Sequence, residues 1–210
     1  MSTWLLATRN RGKLAELIPM LERHGVTAVT LDEAGVVAHP EEEAIEAFPT
    51  FEANALAKAR YFAARTGMPC LADDSGLCID ALDGAPGIRS RRFAADRNQS
   101  PLPGTDEDAA NNDAMIDACW DSGRAPPWTA RYVCAAAFCD NATAVVATGQ
   151  TRGHITPERD GAGGFGYDPF FVSDDLGMSF ARASRDAKAG VSHRGRAFAA
   201  LLAQLAPLRT

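Results

Sequence analysis

The chain has 210 residues, of which 46% are hydrophobic and 23% are charged, and this composition excludes a disordered or fibrous class. The formal net charge of −6 argues against a broad nucleic-acid or anionic-membrane surface, because both partners are attracted by a basic face. No segment approaches the roughly 20 apolar residues that span a bilayer, and the N-terminus lacks the pattern of a secretory signal. We expect one cytoplasmic domain that binds neither nucleic acid nor membrane.

The first part of the chain predicts a strand, a loop, a helix and a second strand. Residues 3–8 form a short apolar run that ends in the polar sequence RNRGK. Leucine and isoleucine then follow at helical spacing until Gly25. The sequence VTAVTL, residues 26–31, favours a strand, and the acidic residues 40–51 are predicted to form a connecting loop.

The next stretch predicts a helix followed by a strand. Residues 51–65 are rich in alanine and contain neither glycine nor proline, which favours a helix. Residues 68–72 favour a strand that runs into Asp73 and Asp74, with a further apolar run, LCIDAL, beyond them.

The second half of the chain predicts a helix, a hairpin and a final helix. Turn-rich sequences bracket a helical pattern at residues 109–120. Two β-type runs, residues 130–139 and 142–155, are separated by DNAT, which indicates a hairpin. An Ala/Leu-rich helix follows Ser192, a plausible N-cap. The alternation of elements predicts an α/β fold.

The sequence TRNRGK, residues 8–13, indicates a phosphate-binding site. A glycine and a lysine directly ahead of a helix offer backbone N–H groups, the positive end of the helix dipole and one mobile cation. The alternative is an ordinary polar turn, since the pattern is not that of a P-loop. Asn54 and Lys58 lie four residues apart and share one face of the next predicted helix, so they can present an amide and an ammonium to one ligand.

The adjacent carboxylates of Asp73 and Asp74 suggest a metal site. Successive side chains of a regular strand point to opposite faces, so the two carboxylates can meet only if the strand ends there, and Ser75-Gly76 supplies such a break. Hard oxygen ligands suit Mg²⁺, and with a metal on one carboxylate the other can act as a base toward water. The alternative is a solvated turn or a helix cap.

Two further motifs suit a flat heterocycle such as a nucleotide base. GGFGYDP contains Phe165 and Tyr167, either of which could stack on a flat heterocycle, although a tight hairpin turn is the alternative. His193 and Arg194 open the last predicted helix, where their donors could bind carbonyl or phosphate oxygens, although a surface pair is the commoner finding. Taken together, the motifs describe a nucleoside triphosphate site.

Five motifs in this order, LATRNRGKLAEL, TFEANALAKAR, ADDSGLCIDALDGAPGIRSRRFA, GGFGYDPFF and SHRGRA, resemble the inosine triphosphate pyrophosphatase family, the Ham1-like proteins also called dITP/XTP pyrophosphatases. The resemblance covers residues 5 to about 201. It implies a long mixed β-sheet flanked by helices, with two lobes and a central cleft for the nucleotide. It also implies a homodimer and Mg²⁺-dependent cleavage of XTP, ITP and dITP to the monophosphate and pyrophosphate.

The same resemblance implies roles for individual residues. Asp74 would be the catalytic base, and Glu46, Asp73 and Asp74 would lie at the metal. The residues that would bind substrate are Thr8, Arg9, Asn10, Arg11, Gly12, Lys13, Asn54, Lys58, Ser75, Phe165, Gly166, Tyr167, Asp168, Lys188, His193 and Arg194.

The sequence also departs from the family pattern. Ala53 stands where the family has a glutamate before the helix asparagine, Glu43 competes with Glu46 for the metal, and Arg89 stands where an aromatic residue is common. Two alternatives stay open. One is a metal-dependent pyrophosphatase of other modified nucleotides, and the other is a nucleotide-binding protein without turnover.

Overall fold

The computed structural model describes residues 2–99 and 106–206, apart from the side chains of Glu43 and Glu46. The strands are β1 (Ser2–Leu6), β2 (Val26–Thr30), β3 (Cys70–Ile79), β4 (Trp128–Cys139), β5 (Ala144–Ile155), β6 (Phe171–Ser173) and β7 (Met178–Ser179). The α-helices are α1 (Arg11–Arg23), α2 (Phe51–Thr66), α3 (Phe93–Asp96), α4 (Glu107–Asp121), α5 (Arg185–Val191) and α6 (His193–Leu205). Short 3₁₀ helices span Pro40–Glu46, Asp80–Leu82 and Gly87–Arg92.

The strands form one mixed sheet in the order β2-β1-β3-β4-β5-β6-β7. Strand β1 pairs in parallel with β2 and β3, whereas β5 with β6 and β6 with β7 pair antiparallel. The predicted α/β class with a mixed sheet is confirmed.

The chain divides into two compact units, of which the first comprises Met1–Asp74, Cys134–Gly149 and His193–Thr210. Its strands alternate between two apolar clusters. Leu6 and Leu71 pack with apolar residues of α1 and α6, whereas Leu5 and Cys70 pack with α2. Because side chains alternate along a strand, α1 and α6 cover one face of β1 and β3 and α2 covers the other.

The second unit comprises Ser75–Val133 and Gln150–Ser192. Its core is rich in aromatic side chains, and the ring of Tyr132 lies 4.7 Å from that of Phe171 between centroids. Tyr167 belongs to this core. Helix α4 contributes the apolar side chains of Ala114, Met115, Ala118 and Cys119.

Most of the predicted elements are present, and the differences have physical causes. The acidic stretch predicted as a loop forms a 3₁₀ helix over Pro40–Glu46. It begins with a proline, and the Glu42 side chain accepts a hydrogen bond from the backbone N–H of His39 at 3.1 Å. The short elements β6, β7 and α5 were not predicted, because strands of two or three residues and a helix of seven residues carry little periodic signal.

The predicted break after the aspartate pair is wrong, because β3 continues from Cys70 to Ile79. Gly76 serves close packing within the strand instead of a turn. A Cβ atom at this position would lie 2.1 Å from the carbonyl oxygen of Gly87. Consequently, Asp73 and Asp74 point to opposite faces of a regular strand.

Candidate active site

Asp73 lies on the face of β3 that α1 and α6 cover. Its Oδ2 atom is 3.0 Å from Nζ of Lys13 and accepts a hydrogen bond from Nε of Arg194 at 3.2 Å. The Cys134 thiol lies against the same oxygen, with Sγ 3.9 Å away. Asp73 is 1% exposed and Arg194 is 3% exposed. A buried carboxylate therefore holds two cations in place.

Arg194 has a second carboxylate partner, Glu16 of α1, which accepts from Nη1. Burial disfavours the charged form of Asp73, but Lys13, Arg194 and Lys58 more than offset this, so its pKa lies well below the ordinary value. Burial also opposes the charge of Arg194, and Asp73 and Glu16 more than offset it, so the pKa of the guanidinium is raised. Sequence reasoning missed Glu16, although it lies three residues after Lys13 on the same helical face.

The segment before α1 is fixed by its own side chains. The side chain of Asn10 caps the helix by accepting from the N–H of Lys13 at 3.0 Å, and Thr8 Oγ1 accepts from the N–H of Asn10 at 3.2 Å. Arg11 and Gly12 are the first residues of α1. The arrangement places Lys13 in the first helical turn, where backbone N–H groups suit an anion.

Arg9 lies in the same predicted phosphate segment but contacts acidic side chains. Its guanidinium pairs with Asp32 and Glu42, each at 3.2 Å, and donates to the backbone oxygen of Val36 at 2.9 Å. Arg9 thus connects the phosphate segment to the acidic 3₁₀ helix Pro40–Glu46.

Asp74 lies on the face of β3 that α2 covers. Its Oδ2 atom accepts from Nδ2 of Asn54 at 2.9 Å, and Asn54 also accepts from the N–H of Phe48 at 2.9 Å. Lys58, one turn further along α2, donates to the backbone oxygen of Asp73 at 3.0 Å. The structure therefore brings Asn54 and Lys58 to β3, where Asn54 orients the Asp74 carboxylate. Ser75 follows directly in the strand.

His193 and Arg194 form the first turn of α6 and are both buried, which excludes the surface pair considered from the sequence. Strand β5 approaches this turn at Gly149. A Cβ atom at Gly149 would lie 2.4 Å from the carbonyl oxygen of His193 and 2.4 Å from the backbone nitrogen of Ala197. Only glycine permits this contact between strand and helix.

The predicted base-binding residues of GGFGYDP lie in the second unit, where Asp168 pairs with Lys188 at 2.6 Å. Oδ2 of Asp168 also accepts from the N–H of Phe165 at 2.9 Å, and Nζ of Lys188 lies 5.0 Å from the centre of the Phe165 ring. Tyr167 is 5% exposed, and its hydroxyl donates to the backbone oxygen of Ser90 at 2.7 Å. Of the two aromatic residues considered for stacking, Phe165 is therefore the one whose ring lies outside the apolar core.

Comparison with known proteins places the chain in a family. The model of the Ham1 family matches residues 4–204. The chain belongs to the Ham1 family. A dITP/XTP pyrophosphatase of Nitratidesulfovibrio vulgaris is 43% identical over 202 residues, which are 96% of this chain and 94% of that protein. The dITP/XTP pyrophosphatase of Nocardia farcinica is 44% identical over 99% of this chain and 97% of its own length.

Solved structures of Ham1 proteins share the fold. A HAM1 protein from Coxiella burnetii is 32% identical and superimposes with a TM-score of 0.80 over 98% of each chain. The nucleoside-triphosphatase / dITP/XTP pyrophosphatase of Mycobacterium abscessus is 38% identical, with a TM-score of 0.67 over 95% of this chain and 98% of that one.

Metal ligands of this Ham1 protein were predicted at Glu46, Asp73 and Asp74. The side chain of Glu46, and that of its competitor Glu43, lie outside the described residues. Within the described part of the chain, no group of three or more His, Cys, Asp or Glu side chains is placed to hold a metal ion. Residues 2–99 and 106–206 also contain no helix that is long and apolar enough to cross a membrane.

Proposed function

We propose that this protein hydrolyses XTP, ITP and dITP to the monophosphate and pyrophosphate. The main support is the buried carboxylate of Asp73. Its Oδ2 atom lies 3.0 Å from Nζ of Lys13 and 3.2 Å from Nε of Arg194, beside the N-terminus of α1. Asp74 is the next residue of the strand. The names of the relatives with 43% and 44% identity, both dITP/XTP pyrophosphatases, support the choice of substrates. The role would be to remove purine nucleotides with non-standard bases from the nucleotide pool.

The triphosphate would bind at the start of α1. The backbone N–H groups of Arg11 and Gly12 and the helix dipole suit phosphate oxygens. Asp73 fixes the ammonium of Lys13 in this turn. Lys58 adds a second cation from α2. Phosphoryl transfer depends mainly on positioning and charge neutralisation, which these groups provide.

Asp74 would act as the general base. A water oxygen attacks the α-phosphorus, the bond from the α-phosphorus to the bridging oxygen breaks, pyrophosphate leaves, and the Asp74 carboxylate takes the water's proton. The hydrogen bond from Asn54 holds the carboxylate in one orientation. Asn54 in turn is fixed by the backbone of Phe48 through two hydrogen bonds, at 2.9 and 3.2 Å.

Mg²⁺ would be held by Glu46, Asp73 and Asp74, because carboxylate oxygens suit this ion. Asp73 would also keep Lys13 and Arg194 in place, since both contact its Oδ2. Bound Mg²⁺ would neutralise phosphate charge.

Recognition of the base would involve Phe165, Gly166, Asp168 and Lys188 of the second unit. Hydrogen-bond donors that are matched to a 6-keto purine reject adenine strongly, because an unpaired buried polar group is costly. Phe165 provides an aromatic face for stacking. We also propose that the protein acts in the cytoplasm as a homodimer.

The test is pyrophosphate release with Mg²⁺ from ITP, XTP, dITP, GTP, ATP and dTTP. We expect strong selectivity for the first three, and a loss of kcat on the order of 10²-fold or more in Asp74→Asn. Asp83→Asn is the matched control, because Asp83 is exposed and its left-handed backbone, with φ of 52°, suits asparagine. Nucleotide binding without pyrophosphate release would contradict the proposal, and release from other modified nucleotides alone would change the substrate class.

A further inference from the structure

The loop Gly163–Asp168 is held by hydrogen bonds along its length. The N–H of Gly163 donates to the backbone oxygen of Ala181 at 3.2 Å. Oδ2 of Asp168 accepts from Phe165 at 2.9 Å. Gly164 allows this turn, because a Cβ atom there would lie 2.3 Å from the same carboxylate oxygen and its φ is +73°. The middle of the loop, at Gly166, is held by a different element.

Helix α4 holds Gly166 from both sides of its Cα atom. The N–H of Gly166 donates to Oδ2 of Asp108 at 2.7 Å, and the carbonyl oxygen of Gly166 accepts from Nδ2 of Asn112 at 3.1 Å. Asp108 and Asn112 are four residues apart and share one face of α4. Two side chains thus fix the peptide groups before and after Gly166. We call this pair the α4 clamp.

The two neighbouring asparagines of α4, Asn111 and Asn112, differ in how their side chains are satisfied. The Asn112 side chain is buried, at 4% exposed, and no described residue donates a hydrogen bond to its Oδ1. The neighbouring Asn111 is also buried, yet both of its side-chain polar atoms are satisfied. Its Oδ1 accepts from the N–H of Ala94 at 2.9 Å and its Nδ2 donates to the oxygen of Arg91 at 2.9 Å. A buried acceptor without a donor is destabilising, so the Asn112 side chain stabilises the fold less than that of Asn111, and its hydrogen bond within the described residues is the one to Gly166.

We propose that Asp108 and Asn112 are positioning residues that set base selectivity by fixing Gly166 between Phe165 and Asp168. This inference rests on the proposed function, in which the loop contacts the base. With the φ of Gly166 at 59°, the glycine itself has broad backbone freedom. Without the clamp, the Phe165 ring and the Asp168 carboxylate would occupy a wider range of positions. The enzyme's discrimination between bases should then fall, because a shift of about 1 Å in the groups that contact a substrate is enough to weaken a site.

The experiment compares four variants with the wild type: Asn112→Ala, Asp108→Ala, Asp108→Asn and Asn111→Ala. Asn111→Ala is the matched control, because it removes a buried amide from the next position of the same helix without touching the loop. Asp108→Asn keeps an oxygen acceptor for Gly166. Three quantities are measured: kcat/KM for ITP, XTP, GTP and ATP, amide hydrogen exchange of residues 163–168, and thermal stability.

We expect Asn112→Ala and Asp108→Ala to lower the ratio of kcat/KM for ITP to that for ATP by about tenfold, the effect of about one lost contact. Hydrogen exchange of the loop should become faster in both. Asn111→Ala should lose more thermal stability than Asn112→Ala while keeping the wild-type ratio and loop protection. Asp108→Asn should stay near the wild-type ratio.

Two results would overturn the inference. One is an unchanged ratio and unchanged loop protection in Asn112→Ala and Asp108→Ala, and the other is an equal change of ratio in Asn111→Ala. If the wild type itself shows no preference among the nucleotides, the proposed function fails instead. Hydrogen exchange still decides in that case whether the clamp orders the loop.

Discussion

The guanidinium of Arg194 donates to the carboxylate of Asp73 at 3.2 Å, although 121 positions separate the two residues in the chain. Both side chains are buried. The contact joins the first turn of α6 to β3, and Glu16 extends it to α1. Since a buried charge is costly without a partner, each of these groups depends on the others.

Arg194→Gln should destabilise the protein, because it leaves Asp73 and Glu16 without the guanidinium. Breaking a buried ion pair by removing one partner costs about 3–5 kcal/mol. Chemical denaturation measures the free energy of unfolding. Arg196→Gln is the control on the same helix, because Arg196 is exposed, and it should change that energy by about 0.5 kcal/mol or less. A loss in Arg194→Gln no larger than in the control would contradict the buried network.

Gly149→Ala should displace the first turn of α6 and reduce both stability and turnover. The new Cβ would lie 2.4 Å from backbone atoms of His193 and Ala197, which cannot rotate away. Overpacking of this kind costs about 1–3 kcal/mol. The Gly149→Ala substitution should lower turnover more in the protein that has Arg194 than in the Arg194→Gln variant, because Gly149 acts by positioning the helical turn that carries Arg194. A double-variant cycle for kcat/KM with Arg194→Gln measures this coupling.

Gly190→Ala is the matched control for Gly149→Ala. Gly190 lies in α5, and a Cβ atom there would meet nothing within 4 Å. Alanine in a helix interior is favoured over glycine by up to about 1 kcal/mol, so this variant should be neutral or stabilising. Additive effects of Gly149→Ala and Arg194→Gln would show that Gly149 contributes to packing alone.

The sequence predicts the helices and long strands of this fold well, because their apolar periodicity is strong. Residues 51–65, for example, were predicted as a helix and form α2 over Phe51–Thr66. The aspartate pair is a different case: Ser75-Gly76 has the composition of a turn and predicts the end of the strand, whereas β3 continues to Ile79. Glycine can serve either a turn or close packing inside a strand. At Gly76 it serves close packing, because the carbonyl oxygen of Gly87 leaves no room for a Cβ atom, and the sequence alone does not show this contact.

The long-range partners of the predicted site residues were not predicted. Local motifs indicate Thr8 to Lys13, Asn54, Lys58 and the aspartates as candidate site residues. The partners Glu16 of Arg194 and Asn112 of Gly166 lie far away in the chain, 178 and 54 positions from the groups that they contact. No local sequence pattern predicts these long-range contacts, because they depend on how the elements pack together in the fold.

Asn54→Ala should lower kcat more than it raises KM, because Asn54 orients Asp74 through a hydrogen bond of 2.9 Å. It also holds the backbone of Phe48, so a stability loss of about 1–3 kcal/mol is expected. Thr50→Ala is the comparison for stability, because it removes the N-cap of the same helix at a cost of about 1 kcal/mol. A KM increase without a fall in kcat would make Asn54 a substrate ligand instead.

Cys70 and Cys119 should resist alkylation in the native protein at neutral and mildly alkaline pH. Burial raises the pKa of the Cys70 thiol to about 12 and that of Cys119 to about 11, so both stay protonated. Since the unfolded pKa is about 8.5, their contribution to stability is fully present below that pH and is lost as pH rises through 11 to 12. Mass spectrometry after iodoacetamide treatment at pH 7.5 and 9, with and without denaturant, tests this. Rapid native modification of either thiol at pH 7.5 would contradict its burial, whereas all five cysteines should react once the chain is unfolded.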